Sequence, residues 1–174
     1  MTSSLAQFLA SVDKKAYKMA NIATLNSQDA LDIVQDTMEK MVRYYSNKQP
    51  KEWPALFYRI LHNNIMDFHR KKKFRNLFFF WQQNDEKSYD DHSAFSTAED
   101  DPDLLVIKSE NIDHMLIAIE SLPAKQQQCF LLRCWQGFSV AKTAQIMTCS
   151  QGTIKTHYSR AVVKLKTQLE NLDV

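Results

Sequence analysis

Hydrophobic positions recur at helical spacing along most of the chain. A first apolar run follows Ser3 or Ser4, either of which can cap a helix, and a second occupies residues 29–45. Asn26-Ser27 separates the two runs, and we expect Ser27 to cap the second helix with help from Asp29. Each helix should bury one side. The expected buried positions are Leu5, Phe8, Leu9, Val12, Ala16, Met19, Ala20 and Ala23, then Leu31, Val34, Met38, Met41 and Tyr45.

A third helix is predicted to begin near Pro54 and to run to Arg75. Aromatic, amide and cationic groups that share an exposed helix face suit a nucleic-acid surface, while cations that offset the helix dipole would explain only one or two of the basic residues. The predicted core positions are Leu56, Phe57, Ile60, Leu61, Ile65 and Phe68. The predicted polar side holds Tyr58, Arg59, His62, Asn63, Asn64 and Asp67, followed by Arg70, Lys71, Lys72, Lys73 and Arg75.

The C-terminal part predicts helices over residues 104–122 and 124–135, with Pro123 between them and Gly137 as a stop after the second. The expected apolar stripe of the first is Ile107, Ile112, Met115, Leu116 and Ile119. The expected core residues of the second are Phe130, Leu131, Cys134 and Trp135.

The last two helices form the most informative pattern. A short helix entered at Ser139 is followed by a tight turn and by a longer helix capped by Ser150. The longer helix has one apolar side and one side of hydroxyls and cations, and no carboxylate lies between Ser150 and Gln168. This layout is typical of a helix-turn-helix, in which the second helix enters the DNA major groove. An ordinary helical hairpin with a solvated basic side is the alternative.

Composition supports an all-α chain, because 174 residues contain only 2 Gly and 4 Pro, too few turn residues for a β fold. Charge divides the chain into three parts. Residues 1–76 hold 13 Lys/Arg against 7 Asp/Glu, residues 77–123 hold 2 against 11, and residues 124–174 hold 7 against 2. The basic parts favour a polyanionic partner, and the acidic, Ser/Asp-rich middle is typical of a linker.

Several features carry no catalytic signal. We find no nucleotide-binding, metalloprotease or nucleophile-elbow motif, so we expect no enzyme, no cofactor and no metal. Cys129, Cys134 and Cys149 are interpreted as small buried thiols, since their spacing suits a zinc site with His157 poorly. Without a secretory signal or a membrane-length apolar run, we expect a cytoplasmic protein. Leu77–Trp81 (LFFFW) is interpreted as local core or a lid, or else as a partner site.

Three segments together resemble the extracytoplasmic-function group of bacterial RNA polymerase sigma factors. DALDIVQDT at residues 29–37 is similar to the family's DAxDxVQET, and YRILHNNIMD at residues 58–67 is similar to its YRIxxNxxxD segment. Leu122-Pro123 and then SQGTIKTHYSRA at residues 150–161 resemble its LPxxxR and SxGTVKSRLxRA patterns. Three such motifs in register cover nearly the whole chain.

The resemblance implies two small helical domains, residues 1–76 and 110–174, joined by an acidic linker at residues 77–109. It implies binding to core RNA polymerase through the β′ clamp helices and the β flap, to promoter DNA, and to an anti-sigma factor. Asp32, Gln35 and Asp36 would contact polymerase. The −10 element would be melted and bound by Tyr58, Arg59, Asn63 and the Ser46–Lys51 loop with Lys48 and Lys51. The −35 element would be read by Gly152, Thr153, Lys155, Thr156, Ser159 and Arg160.

The chain departs from the family pattern at four positions, and these departures bear on promoter preference rather than on the fold. Leu56 replaces a Trp, Lys142 a Glu, Gln127 or Gln128 an Arg, and His157 an Arg. A different class of function also fits the C-terminal half, namely a helix-turn-helix regulator that binds an operator without polymerase. Tight operator binding by the isolated protein would distinguish that regulator from a sigma factor.

Overall fold

The computed structural model describes residues 4–82 and 109–171, and every regular element within those two ranges is helical. The all-α prediction is therefore confirmed. Most of the predicted acidic linker, including Ile107 of the expected apolar stripe, lies outside the described residues. The N-terminal half consists of α1 (Leu5–Thr24), α2 (Ser27–Tyr45) and α3 (Trp53–Gln82). The C-terminal half consists of α4 (Ser109–Glu120), α5 (Ala124–Phe130, continued by a π-helical turn at Leu131–Trp135), α6 (Val140–Met147) and α7 (Gln151–Glu170).

Polar side chains set the ends of the first two helices. Ser4 forms a capping box with Gln7, in which the Gln7 amide donates to Ser4 Oγ at 3.2 Å and the Ser4 amide donates to Gln7 Oε1 at 3.1 Å. The prediction that Ser27 caps α2 is wrong. Asn26 has the extended backbone that a cap requires, and its Oδ1 accepts from the Asp29 amide at 3.0 Å, so Ser27 becomes the first helical residue.

The core of the N-terminal half lies between the three helices, where the side chains of Met19, Met41, Phe57 and Leu61 are fully buried. The prediction that Leu31 is buried is wrong, because its side chain is 52% exposed. The inner side of α2 is centred on Thr37, whose hydroxyl donates to the Ile33 carbonyl at 2.7 Å and is thereby satisfied inside the core. Because Thr37 is polar, the hydrophobic pattern of the sequence did not identify this side of α2 as the buried one.

The prediction of an exposed polar side on α3 is wrong for Tyr58, His62 and Asn64, which are all buried. Asn64 turns towards α2, where its Nδ2 donates to Thr37 Oγ1 at 2.9 Å. The phenol of Tyr58 meets the C-terminal half, and Lys125 of that half is close enough to His62 to affect its charge. Helix α3 is thus covered from two directions, whereas the sequence pattern predicts burial on one side only.

In the C-terminal half the predicted helix breaks are confirmed, but several of the buried residues differ from those predicted. Gly137 ends the π-helical turn with a φ of 70°, as a glycine stop should. Leu131 is buried, as predicted, but Cys134 and Trp135 are exposed, against the prediction, because the π turn adds a residue to the helical repeat and turns Leu132 inward instead.

Two further predictions about burial in the C-terminal half are wrong. Ile112 and Met115 on α4 are exposed, since that helix buries Ala118 and Ile119 near its end. Of the three cysteines, only Cys129 is fully buried, and Cys149 is half-buried.

The end of α3 extends beyond the body of the N-terminal half. Residues 70–82 are exposed throughout, including Phe74 at 72% and Trp81 at 80%. The interpretation of Leu77–Trp81 as local core or a lid is therefore wrong, and a partner site remains the open alternative. No helix in the described ranges combines the length and the apolar character that a bilayer span needs.

Candidate nucleic-acid interface

Helices α6 and α7 form the hairpin that the sequence predicts. Ser139 caps α6 by accepting from the Lys142 amide at 3.1 Å, and Thr148 ends the helix in the left-handed region with a φ of 54°. Ser150 then caps α7, since its Oγ accepts from the Thr153 amide at 3.1 Å and lies 2.8 Å from Thr153 Oγ1. The two caps hold both helices to a short turn and fix where α7 begins.

The inner side of α7 orients the helix. Ile154 and Ala161 are fully buried and Leu165 nearly so. Tyr158 stacks on Phe130 with ring centroids 6.2 Å apart and planes inclined by 14°. Because these side chains anchor one side of α7 to α5 and its π turn, the opposite side faces outward.

The outward side of α7 carries the residues predicted to read the −35 element. Gly152, Lys155, Thr156, Ser159 and Arg160 are exposed, and Thr153 is half-buried through its part in the cap. Within residues 4–82 and 109–171, neither cation of this set lies within ion-pairing distance of a carboxylate. The surface is therefore positively charged and presents hydroxyl groups, which suits a phosphate backbone with base edges beside it.

Neither the backbone conformation nor the packing around it requires glycine at position 152. A Cβ atom built at this position meets only Ser150 Oγ, at 3.7 Å, which is ordinary van der Waals contact. The fold itself would accept a side chain here. The lack of one leaves the first turn of α7 open to close approach by an external group.

The residues predicted to bind the −10 element fall into two groups. Asn63, Lys48 and Lys51 are exposed. The other two contact the C-terminal half. The Tyr58 phenol donates to Gln136 Oε1 at 2.8 Å, and Arg59 donates twice to the Gln145 carbonyl, from Nη2 at 2.8 Å and from Nε at 3.2 Å.

Burial changes the titration of two side chains on α3. Desolvation raises the pKa of Tyr58 to about 12. The pKa of His62 is lowered to about 4, chiefly by burial and further by the positive charge of Lys125 on α5. Both groups are therefore neutral at physiological pH.

The outer face of α2 carries the residues predicted to contact polymerase. Asp32 and Gln35 are exposed, while Asp36 is half-buried and pairs with Lys40 at 2.7 Å. Leu31 is exposed one helical turn before Gln35. The sequence analysis placed Leu31 in the core. Its position four residues before Gln35 puts both residues on the same face of α2, and this spacing could have identified Leu31 as a surface residue.

The comparisons with known proteins agree with this geometry. The family model "Sigma-70, region 4" matches residues 115–165. RNA polymerase sigma factor SigV of Bacillus subtilis is 28% identical over 165 residues, which cover 91% of this chain and 86% of SigV. ECF RNA polymerase sigma factor BldN of Streptomyces coelicolor is 29% identical over 135 residues, which cover 76% of this chain but 48% of BldN.

A solved structure extends the similarity to the fold of both halves. The sigma factor RpoE of Bartonella quintana, in its co-crystal structure with the anti-sigma factor NepR, superposes with a TM-score of 0.62 at 26% identity. The superposition covers 95% of this chain and 96% of that one. Two helical halves, the second with an outward basic α7 in a region 4 helix-turn-helix, are the arrangement expected of a sigma factor. The chain is similar to the extracytoplasmic-function group of these factors.

Proposed function

We propose that the protein directs core RNA polymerase to promoters and starts transcription there, binding the −35 element with α7 and the −10 element with residues of α3 and the loop before it. The observation that carries the proposal is the outward side of α7, which is cationic, rich in hydroxyls and oriented by a buried opposite side. Polymerisation belongs to the larger enzyme, so we expect no catalytic activity of the protein alone.

In the proposed −35 contact, the N-terminal turns of α7 enter the major groove. Lys155 and Arg160 supply donors for guanine edges or for phosphates, and the Thr156 and Ser159 hydroxyls suit either. The open space at Gly152 lets the sugar-phosphate backbone or a base edge come close to the helix. Thr153 contributes mainly by holding the cap, through its bond to Ser150.

In the proposed −10 contact, an extruded base would stack on the Tyr58 ring and be held by Arg59 and Asn63. Lys48 and Lys51, in the exposed loop before α3, would neutralise phosphates of the displaced strand. Base extrusion costs a few kcal/mol, which the stacking and edge contacts offset. This contact requires Tyr58 to be exposed.

In the proposed polymerase contact, Asp32, Gln35 and Asp36 bind the β′ clamp helices, and the exposed Leu31 adds apolar area beside them. The C-terminal domain would contact the β flap. We further propose that an anti-sigma factor binds the protein, since the RpoE structure contains NepR. The domains would comprise residues 1–76 and 110–174, with α3 continuing to Gln82 at the start of the tether.

An operator-binding regulator that works without polymerase is the disfavoured alternative, because the matched relatives are sigma factors. Fluorescence anisotropy with promoter DNA separates the two functions. The proposal predicts weak binding by the protein alone and tight, sequence-dependent binding once core polymerase is added. Tight binding by the protein alone, unchanged by polymerase, would support the regulator instead.

A further inference from the structure

The exposed end of α3, residues 70–82, consists of two bands that each encircle the helix. The second, which we call the apolar band, is the run Leu77–Trp81. Successive residues of an α-helix are about 100° apart, so a run of four or more leaves no side of the helix uncovered. The first, which we call the cationic band, contains Arg70, Lys71, Lys72, Lys73 and Arg75.

The apolar band is open to solvent on every side. Its side chains are between 51% and 80% exposed, and Phe74, one turn before the band, is exposed as well. A contiguous apolar surface of this kind marks a site of interaction, whereas a single exposed apolar residue does not. Water is therefore not the only environment that this end of the helix meets.

The cationic band keeps most of its charge available to a partner. No carboxylate lies between Asp67 and Asp85 in the sequence, and Arg70 pairs with Asp67. Within the two ranges that the structure describes, the other four cations lie beyond ion-pairing distance of a carboxylate. The partner of this surface is therefore anionic where it meets the cationic band and apolar where it meets the apolar band.

Three kinds of partner fit these bands poorly. A groove in another protein covers one side of a helix and would leave the rest of the apolar band in water. A second copy of the chain would bring two cationic bands together. A single-stranded nucleic acid stacks bases beside the phosphates that the cations hold, which favours aromatic and cationic residues in alternation rather than in separate bands.

A groove on one side of this helix end contains both kinds of surface. It has a volume of about 540 Å³ and is lined by His69 and by Lys72, Lys73 and Asn76 towards the body of the protein, then by Leu77 and Phe80 further out. The lysines suit a phosphate group, and the outer residues suit the start of an apolar chain. A phospholipid has these two parts in the same order.

We propose that the end of α3 binds the surface of an anionic lipid bilayer. The apolar band enters the interface between headgroups and acyl chains end-first, where Phe and Trp side chains are favoured on all sides of the helix. The cationic band remains at the level of the headgroup phosphates. This binding lies on the surface of the bilayer and does not cross it, and it is independent of the proposed role in transcription.

Flotation of the full-length protein with vesicles tests the proposal. The probes are vesicles of phosphatidylcholine and phosphatidylglycerol in equal parts, and vesicles of phosphatidylcholine alone. We expect binding to the anionic vesicles that is at least tenfold tighter than to the neutral ones and that weakens as salt is raised. Absence of flotation with the anionic vesicles would overturn the proposal.

The contribution of the apolar band is measured with Phe78→Ser/Trp81→Ser. We expect this variant to bind the anionic vesicles at least tenfold more weakly than wild type, because it removes two aromatic side chains from the interface. The matched control is Ile117→Ser/Val163→Ser, which replaces two apolar residues of the C-terminal half that are 59% and 61% exposed. Equal binding by the two double variants would contradict the proposal.

The contribution of the cationic band is measured with Lys71→Glu/Arg75→Glu. We expect at least tenfold weaker binding to the anionic vesicles and little change with neutral ones. The control is Lys14→Glu/Lys18→Glu, which makes the same change of charge at exposed positions on α1. An equal loss of binding in both variants would assign the attraction to net charge alone and overturn the proposed site.

Quenching of tryptophan fluorescence by brominated lipid locates the contact. Trp81→Phe keeps an aromatic ring in the apolar band and should still bind, but it should lose the quenching, since Trp53 is buried and Trp135 lies in the other half. Quenching that persists in this variant would overturn the proposal. So would unchanged vesicle binding by Phe78→Ser/Trp81→Ser together with loss of polymerase or oligonucleotide binding, which would assign the surface to protein or to nucleic acid. Run-off transcription does not depend on lipid, so failure of the proposed function is recognised separately.

Discussion

The Lys40 ammonium donates to Asn64 Oδ1 at 2.9 Å and lies 2.7 Å from Asp36 Oδ2. Lys40 thereby links the buried contact between α2 and α3 to the acidic outer face of α2. The Asp36 carboxylate is held in place by this link, whereas Asp32 accepts from its helical neighbour Gln28, at 3.1 Å. The two acids that we propose to contact polymerase are therefore supported differently.

This difference gives a test of polymerase docking. Asp36→Lys should abolish co-purification with core polymerase, but it also sets a second cation beside Lys40. Asp32→Lys reverses the same charge without that complication, and we expect it to weaken docking while leaving the melting temperature unchanged. The control is Lys14→Glu on α1, which is not among the residues proposed to contact polymerase. Full retention of polymerase by both Asp variants would refute the docking assignment.

Gly152 allows a test of DNA contact that is separate from folding. Gly152→Ala meets no close neighbour and should stabilise α7 by up to about 1 kcal/mol. We nevertheless expect it to weaken −35-dependent promoter binding about tenfold, because the methyl group would fill the space that we propose DNA enters. Gly137→Ala, at a φ of 70°, should destabilise the protein instead. Normal promoter binding by Gly152→Ala would place the first turn of α7 away from DNA.

Arg160→Ala and Lys155→Ala distinguish base reading from phosphate contact. Each should cost roughly 1–3 kcal/mol of promoter binding if its side chain contacts a base, and the loss should depend on the −35 sequence. A loss that is equal on all sequences, with a reduced salt dependence, would assign the residue to phosphates. Val163→Ala, on the same helix, should have no effect. The measurement is competition binding of the polymerase complex to promoters with altered −35 elements.

The burial of His62 predicts a loss of stability in acid. Its pKa is about 4 in the folded protein and about 6.5 when exposed, so the unfolded or opened form binds the proton more readily. The contribution of the neutral side chain is complete above about pH 6.5 and is lost as the pH falls towards 4. Between about pH 7.5 and 4.5 we expect a decrease of about 2–3 kcal/mol in the free energy of unfolding.

Urea denaturation at several pH values measures this loss. His62→Gln, which carries no titrating group, should show a smaller dependence on pH over the same range. His69 and His157 have pKa values that are also lowered by burial, so a residual slope of the same sign should remain. An identical pH dependence in wild type and His62→Gln would contradict the assignment.

Sequence patterns predicted those features of the fold that depend on neighbours along the chain. The helix-turn-helix, the Ser150 cap and the stop at Gly137 depend on local residues, and the structure has all three. The patterns failed where burial depends on distant contacts. Tyr58 and His62 look like surface residues on α3 until the C-terminal half covers them, and periodicity within one helix contains no information about a second covering element.

The same distinction between local sequence and distant contacts applies to the predicted site residues. The −35 residues were predicted to share one exposed side of a helix, and the structure exposes all of them but the half-buried Thr153. Gln136 and Gln145 form hydrogen bonds with α3 residues that lie 78 and 86 positions away in the sequence. Phe138 also contacts α3. No local sequence motif predicts these contacts.

Run-off transcription with purified core polymerase tests the central claim most directly. The template is the DNA upstream of the gene that encodes the protein, with and without the −35 and −10 elements replaced. The account predicts a transcript of defined start that requires the protein, the polymerase and both elements. Stable binding of the protein to polymerase without any promoter-specific transcript would contradict it.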